Sequence, residues 1–204
     1  MRSKYIKNTD VERLRSVVGL AEWLPLEVSL ETGLRVGDVV ALESRQIGRD
    51  DDGYYIRYIA HKTGKEGVAR ITKTLGKNLE AMTANGRYIF PRGKCTSKTP
   101  HLTRQAVYHR MKTAARRLGL DEAGVSPHSL RKNFAVALRH ERGLAAVREA
   151  LQHSNDAVTR IYAYADTVLN ADSDEPIRWR DLELIVDYIL ERLAEKTVDE
   201  ASEA

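Results

Sequence analysis

The chain is 204 residues long, with 42% hydrophobic and 30% charged residues, enough for one well-buried core or for a domain with a small appendage. No stretch approaches about 18 consecutive apolar residues, the segment Met1 to Asp10 lacks the apolar run of a secretory signal, and Cys95 stands alone. A membrane span, export, an internal disulfide and a thiolate metal cluster are therefore not expected, and the expected setting is the cytoplasm, without a metal or cofactor.

The formal net charge of +4 hides a strong asymmetry. Between Ala81 and Leu120 there is no acidic residue, while Arg87, Arg92, Lys94, Lys98, Arg104, Arg110, Lys112, Arg116 and Arg117 all fall there. From Asp166 to the end there are twelve acids against four bases, so the tail is negative and the body correspondingly positive. The body, not the tail, is the part suited to a polyanion, although a basic face can also be merely solvated.

In chain order, helical periodicity runs over Val11 to Gly19 and Glu22 to Leu30, with Gly33 as a stop, and a short helix follows over Val36 to Leu42. Tyr54 to Ala60 and Val68 to Ile71 are rich in aromatic and β-branched residues, so they read as a hairpin with His61 to Gly67 at its tip. Helices are expected at Thr72 to Met82, Thr103 to Leu118, His128 to Glu141, Leu144 to Leu151 and Asn155 to Ala163. After an acidic linker, Asn170 to Pro176, a further amphipathic helix over Ile177 to Leu193 carries Leu182, Ile185, Val186, Ile189 and Leu193 on one face. The fold class is α+β, mainly helical, with one small antiparallel sheet.

Four places along this pattern bear chemistry. Arg35 opens a helix after a glycine stop, and Asp38, three residues on, is expected to hold its guanidinium. Lys62 sits on the hairpin tip, where a solvated charge is the ordinary reading. Ser126 and Pro127 suit an N-cap and first helical position, which places His128 and Arg131 together in the first turns. A guanidinium fork matches two phosphate oxygens, an imidazole moves a proton near neutral pH, and the helix N-terminus favours an anion. Tyr162 lies nine residues beyond His153. A phenol with a pKa near ~10 is a poor nucleophile without cations around it, and a lone tyrosine usually packs into a core.

Taken together, these segments resemble the tyrosine recombinase (phage integrase) family. Thr32-Gly33-Leu34-Arg35-Val36-Gly37-Asp38 is similar to that family's first arginine box, and His61-Lys62-Thr63-Gly64-Lys65 to its lysine hairpin. Pro127-His128-Ser129-Leu130-Arg131 is similar to the second box, and Leu151 to Tyr162 to the histidine and nucleophile segment. Order and spacing agree over residues 1 to 165, whereas a single such motif would be weak.

The resemblance implies a catalytic domain over 1–165 that cleaves and rejoins DNA through a 3′-phosphotyrosyl bond. Tyr162 would be the nucleophile, Arg35 and Arg131 would neutralise the non-bridging oxygens, and Lys62 would protonate the departing 5′-oxygen. His128 would exchange the tyrosine proton, His153 would hydrogen-bond the phosphate, and Asp38 would support the arginines. Lys65, Arg70, Arg104, Arg110, Lys112 and Lys132 are the expected DNA contacts. Double-stranded DNA is the implied partner, bound by a dimer per site and a tetramer per synapse, with an accessory DNA-binding protein as a further candidate.

Some positions depart from the family pattern. Lys132-Asn133 replaces a frequent His-Thr, Asp38 stands where Glu is commoner, and Gln152 where Gly is frequent. Tyr164 is a second candidate nucleophile, disfavoured by spacing. The family's N-terminal helical domain is not evident, which fits either a short stand-alone protein, as in fimbrial-switch invertases and small integrase-like proteins, or a fragment. Residues 166–204 form the acidic linker and helix, which packs either on its own core or on a neighbouring protomer. Two other functions fit the same residues: a type IB topoisomerase, which usually has Lys where His128 stands, and a DNA-binding regulator without strand exchange.

Overall fold

The computed structural model describes residues 5–84, 86–92, 100–120 and 124–151. The predictions for Lys94, Cys95, Lys98, Gln152, His153, Tyr162, Tyr164, the Asn155 to Ala163 helix and the whole acidic tail lie outside these residues.

Helices α1 (Asn8–Val17) and α2 (Leu20–Thr32) come first, followed by the short α3 (Val36–Val40) and a 3₁₀ turn at Ser44–Gln46. Strands β1 (Ile47–Asp50), β2 (Gly53–Ile59) and β3 (Glu66–Ile71) form one antiparallel sheet in the order β1-β2-β3. Helices α4 (Lys73–Thr83), α5 (Arg104–Arg117) and α6 (Pro127–Leu151) complete the described chain. The α+β, mainly helical class is observed, with the hairpin and helices within a few residues of their expected positions.

Strand β1 is an addition to the expected pair. It pairs Ile47 with Ile56 and Asp50 with Gly53, so Ile47 joins the buried face while Asp50 stays at the surface. Its four residues are too few, and its flank Asp50-Asp51-Asp52 too charged, for alternation to stand out.

α2 is the central element because it is apolar on more than one side. Trp23 and Leu26 face a cluster with Leu14, Met111 and Leu130, whereas Leu24 and Val28 face a second one with Leu42, Ile56, Leu75 and Ile89. One helix thereby joins the α1/α5/α6 side to the sheet side, and each large side chain buried there contributes about 1.5–3 kcal/mol before entropy is charged against it. On the first side Arg15 forks onto the Glu27 carboxylate at 2.5 and 3.2 Å, and Glu27 also accepts the Trp23 indole N–H.

One departure noted in the sequence, Asn133, has a structural explanation. Asn133, buried at 5% exposure, accepts the Ile6 backbone N–H at 3.2 Å and donates to the Ile6 carbonyl at 2.6 Å. A carboxamide can serve both backbone groups at once, which the threonine common at this position could not do in the same way. The chain entering α1 is thereby pinned to the helix that carries the second arginine.

α6 is two helical pieces divided at Gly143, whose φ of 81° and ψ of 178° lie where only glycine is at ease. This break is where the periodicity had separated Glu141 from Leu144. It turns the second piece back, so that Val147 and Leu151 pack with Ala135, Phe134 and Leu138 of the first.

Candidate active site

Arg35 is presented by the junction of α2 and α3. Gly33 ends α2 in the left-handed conformation, φ 67°, and its N–H closes on Ser29 O at 3.0 Å. Thr32 Oγ1 then accepts the Leu34 N–H at 3.2 Å, Leu34 is buried, and Arg35 O starts α3 by accepting the N–H groups of Asp38 at 2.8 Å and Val39 at 3.0 Å. Leu34 and Val39 are anchored in the core on either side, and Arg35 between them is half-buried.

The second box opens α6. Ser129 and Leu130 are fully buried, and the Ser129 hydroxyl accepts the Ser126 N–H at 3.2 Å and donates to Gly124 O at 3.0 Å, which anchors the first turn. Arg131 is 3% exposed. Its Nη1 donates to the Gly33 carbonyl and its Nη2 to the Leu151 carbonyl at 2.8 Å. A guanidinium carries five N–H groups in a planar fork, and two of them are tethered to backbone carbonyls here. This residue thus ties together the turn before Arg35, the second box, and Leu151 at the end of α6.

His128 keeps a face in solvent, yet its pKa is pushed down to about 4. Removal of water by the protein packed around it is the first cause, followed by the positive charges of Arg131, Lys132 and Arg35. Three cations thus act on one imidazole at the start of α6. At neutral pH the ring is uncharged and can accept a proton. A bound phosphodiester would offset the cations and raise the pKa.

The direction of this shift has a stability consequence. Because the folded-state pKa lies below the unfolded value, the unfolded chain binds the proton more readily, so this group weakens the fold as pH falls from about 6.5 towards 4. In an NMR titration the His128 ring is expected to have its midpoint near 4, rising in Arg35→Gln. A midpoint of 6.5 in both proteins would remove the cationic pocket.

Lys62 is exposed on the tip, as expected. The turn is closed by Ala60, whose N–H donates to Lys65 O at 2.8 Å and whose carbonyl accepts the Gly64 N–H at 2.8 Å. Asp38 requires a correction. Instead of holding the Arg35 guanidinium, its Oδ1 accepts the His61 backbone N–H at 3.1 Å, and its buried Oδ2 has no hydrogen-bond partner. The acid therefore ties the first box to the hairpin tip, one residue before Lys62.

The expected DNA contacts divide. Lys65 is exposed on the tip and Lys132 lies beside His128. Arg104, Arg110 and Lys112 lie on α5, where Arg110 reaches Glu22 at 3.5 Å and Lys112 covers the exposed Tyr108 ring at 5.2 Å. Arg70 is placed differently: it pairs with Asp50 at 2.5 Å and Asp52 at 3.4 Å and stacks on Tyr55 at 5.4 Å, so its charge is largely answered within the chain. A cleft of about 940 Å³ between α3 and the sheet includes Asp38 and His61 but not Arg35, His128 or Arg131.

Reading side chains in sequence missed three parts of this arrangement: the carbonyls of Gly33 and Leu151 that hold Arg131, and the His61 N–H that holds Asp38. Backbone groups leave no motif. Gly33 alone had a signal, and it was read as a helix stop.

The phage integrase family description matches residues 4–167. Tyrosine recombinase XerD of Rhizobium meliloti (strain 1021) is 31% identical over 144 residues, covering 68% of this chain and 45% of that protein. Tyrosine recombinase XerC of Roseiflexus sp. (strain RS-1) is 32% identical over 165 residues, covering 75% and 49%. Among solved structures, the XerH site-specific recombinase bound to palindromic difH substrate, a post-cleavage complex, superposes with a TM-score of 0.66 at 20% identity, over 84% of this chain and 52% of that one. A lambda integrase (75-356) dimer bound to a COC' core site does so with a TM-score of 0.66 at 19% identity, over 88% and 64%. The chain spans about half the length of the XerC and XerD relatives it matches. With a family match across most of its length and the arginine, histidine and lysine elements placed as described, this chain is a member of the phage integrase family.

Proposed function

We propose that this chain is the catalytic domain of a site-specific DNA recombinase, acting on double-stranded DNA in the cytoplasm through a 3′-phosphotyrosyl intermediate at Tyr162. The observation that carries the reading is Arg131, tied through Gly33 O to the turn that presents Arg35 and lying on the same first turns of α6 as His128. Tyr162 Oη forms the new bond to phosphorus and gives its proton to His128. The bond from phosphorus to the 5′-oxygen breaks, and Lys62 supplies that oxygen with a proton. Arg35 and Arg131 take up the charge on the non-bridging oxygens, and His153 adds a hydrogen bond there. The phosphotyrosyl ester conserves the energy of the broken bond, so no nucleotide is consumed, and attack by a 5′-hydroxyl of a second duplex completes strand exchange.

The domain is assigned to 1–165, with 166–204 as an acidic linker and amphipathic helix. Two protomers per site and four per synapse, with or without an accessory DNA-binding protein, are part of the same proposal. Phosphate contacts by Lys65, Arg104, Arg110, Lys112 and Lys132 should make binding fall steeply with salt.

The test uses supercoiled plasmid and suicide duplexes bearing the DNA that flanks the gene, with Tyr162→Phe as control. A metal-independent adduct at DNA 3′ ends that disappears in Tyr162→Phe is the expected result, and its transfer to a second duplex distinguishes recombination from topoisomerase action. Salt-sensitive binding without any adduct on these substrates would favour a DNA-binding regulator.

A further inference from the structure

Glu31 and Asp38 flank the Arg35 turn, one on the last turn of α2 and the other on the first turn of α3, and each carboxylate reaches the chain that carries Lys62. Asp38 takes the His61 backbone N–H where β2 gives way to the tip. Glu31 takes Thr72 where β3 ends: its Oε2 accepts the Thr72 backbone N–H and its Oε1 the Thr72 hydroxyl, both at 2.8 Å. The hydroxyl oxygen in turn accepts the Leu75 N–H at 3.2 Å and so caps α4. A helix dipole disfavours a carboxylate at the C-terminal end, and α2 has no basic residue in its last turn. The N-terminus of α4 supplies the positive end that Glu31 lacks on its own helix.

Lys62 to Ile71, the tip and all of β3, thus lies between two ties, and both end on the segment that presents Arg35. The same segment is held to Arg131 through Gly33 O. Ala69 and Ile71 pack against the sheet-side cluster, but apolar contact has no direction, so it fixes burial better than it fixes where along α2 the strand attaches. Charge-assisted hydrogen bonds set that point. We infer that Glu31 is a positioning residue: by holding Thr72 at the end of β3, and with Asp38 holding His61, it sets where the Lys62 hairpin stands relative to Arg35 and Arg131. This rests on the recombinase reading above. Glu31 touches no reacting atom in this scheme. Delivery of a proton needs heavy atoms about 2.6–3.2 Å apart, so Lys62 is sensitive to a shift of the hairpin that leaves the arginines in place.

The experiment is single-turnover cleavage by the full chain at saturating protein, on suicide duplexes with either oxygen or sulfur in the 5′-bridging position. Glu31→Ala and Glu31→Gln are compared with the unsubstituted protein, each with and without Lys62→Ala. A misplacement of about 1 Å is enough to cost on the order of 100-fold in rate, and with the Asp38 tie still in place Glu31→Ala is expected to slow the oxygen substrate by about tenfold. Sulfur departs as a thiolate that needs no proton, so on that substrate the same variant is expected within about threefold of the unsubstituted rate. Glu31→Gln keeps one oxygen for Thr72 and is expected to lie between the two on the oxygen substrate. In the Lys62→Ala background Glu31→Ala is expected to add less than about twofold, because both changes act on one proton transfer.

A purely structural role, in which Glu31 only secures the cap of α4, gives a different pattern. The urea midpoint and the reaction amplitude would fall, while the rate constant of the folded fraction stayed the same on both substrates, and that result would overturn the positioning role. Equal slowing on oxygen and sulfur would overturn it too, since the fault would then lie at the arginines, and so would full additivity with Lys62→Ala. These three outcomes leave the recombinase reading intact. Absence of any Tyr162-dependent adduct from the unsubstituted protein would overturn both together.

Discussion

Arg131→Ala is expected to abolish detectable DNA cleavage and to destabilise the domain at the same time, whereas Arg35→Ala is expected to do only the first. The difference comes from what each guanidinium holds in the free protein. Arg131 is buried and satisfies two carbonyls, Gly33 O and Leu151 O. Removing it strands both, at about 1–3 kcal/mol for each group left buried without a partner. Arg35 is half-exposed at the start of α3, and its loss should change stability by less than about 0.5 kcal/mol. Each arginine that faces the transition-state charge should cost about 100- to 1,000-fold in cleavage rate.

Arg131→Lys sharpens the comparison. It retains a positive charge near His128, so the imidazole should still titrate well below 6.5. An ammonium is a point charge without the planar fork, and it cannot span two carbonyls and a phosphate edge together. Cleavage should therefore remain on the order of 100-fold down, and part of the stability loss should remain. Urea midpoints and single-turnover rates measured on the three variants check both halves. A fully stable Arg131→Ala would mean that water replaces the guanidinium at the two carbonyls.

Much of this fold was legible because local signals agreed with the tertiary outcome. Gly33 was a helix stop, and it is one, with φ 67°. The interval between Glu141 and Leu144 was a break, and Gly143 makes it. The hairpin was legible from Tyr54, Ile56, Tyr58 and Ile71, whose alternation matches the buried and exposed faces of β2 and β3.

The less legible parts depended on partners far away in sequence. Asp38 obeys the spacing rule for an intrahelical pair with Arg35, yet the chain brings the His61 N–H to it from 23 residues away, and that contact forms instead. Arg70 is among the expected DNA contacts, and nothing in the sequence signalled that β1 would bring Asp50 to pair with it in the free protein. Asn133 was only a departure from a pattern until Ile6 was found on both ends of its carboxamide. Type and spacing convey which side chains are available, but competition among partners is settled by topology.

Lys62→Ala is the second substitution with a large expected effect, and its chemistry can be isolated. If Lys62 delivers the proton to the departing 5′-oxygen, its removal should slow cleavage of an ordinary duplex by about 100- to 10,000-fold while binding changes little. With sulfur in the 5′-bridging position the leaving group departs as a stable thiolate and needs no proton, so the same variant should cleave that duplex at close to the unsubstituted rate. Asp38→Ala offers the companion measurement. Its Oδ1 holds the His61 N–H next to Lys62, so loosening that tie should slow oxygen-substrate cleavage to an intermediate extent, and sulfur should rescue it too. If Asp38 worked instead through Arg35, the defect would lie in charge neutralisation at the non-bridging oxygens, which sulfur at the bridging position leaves untouched. Rescue of both variants would place Asp38 on the lysine side of the site, and rescue of Lys62→Ala alone would return it to the arginine side.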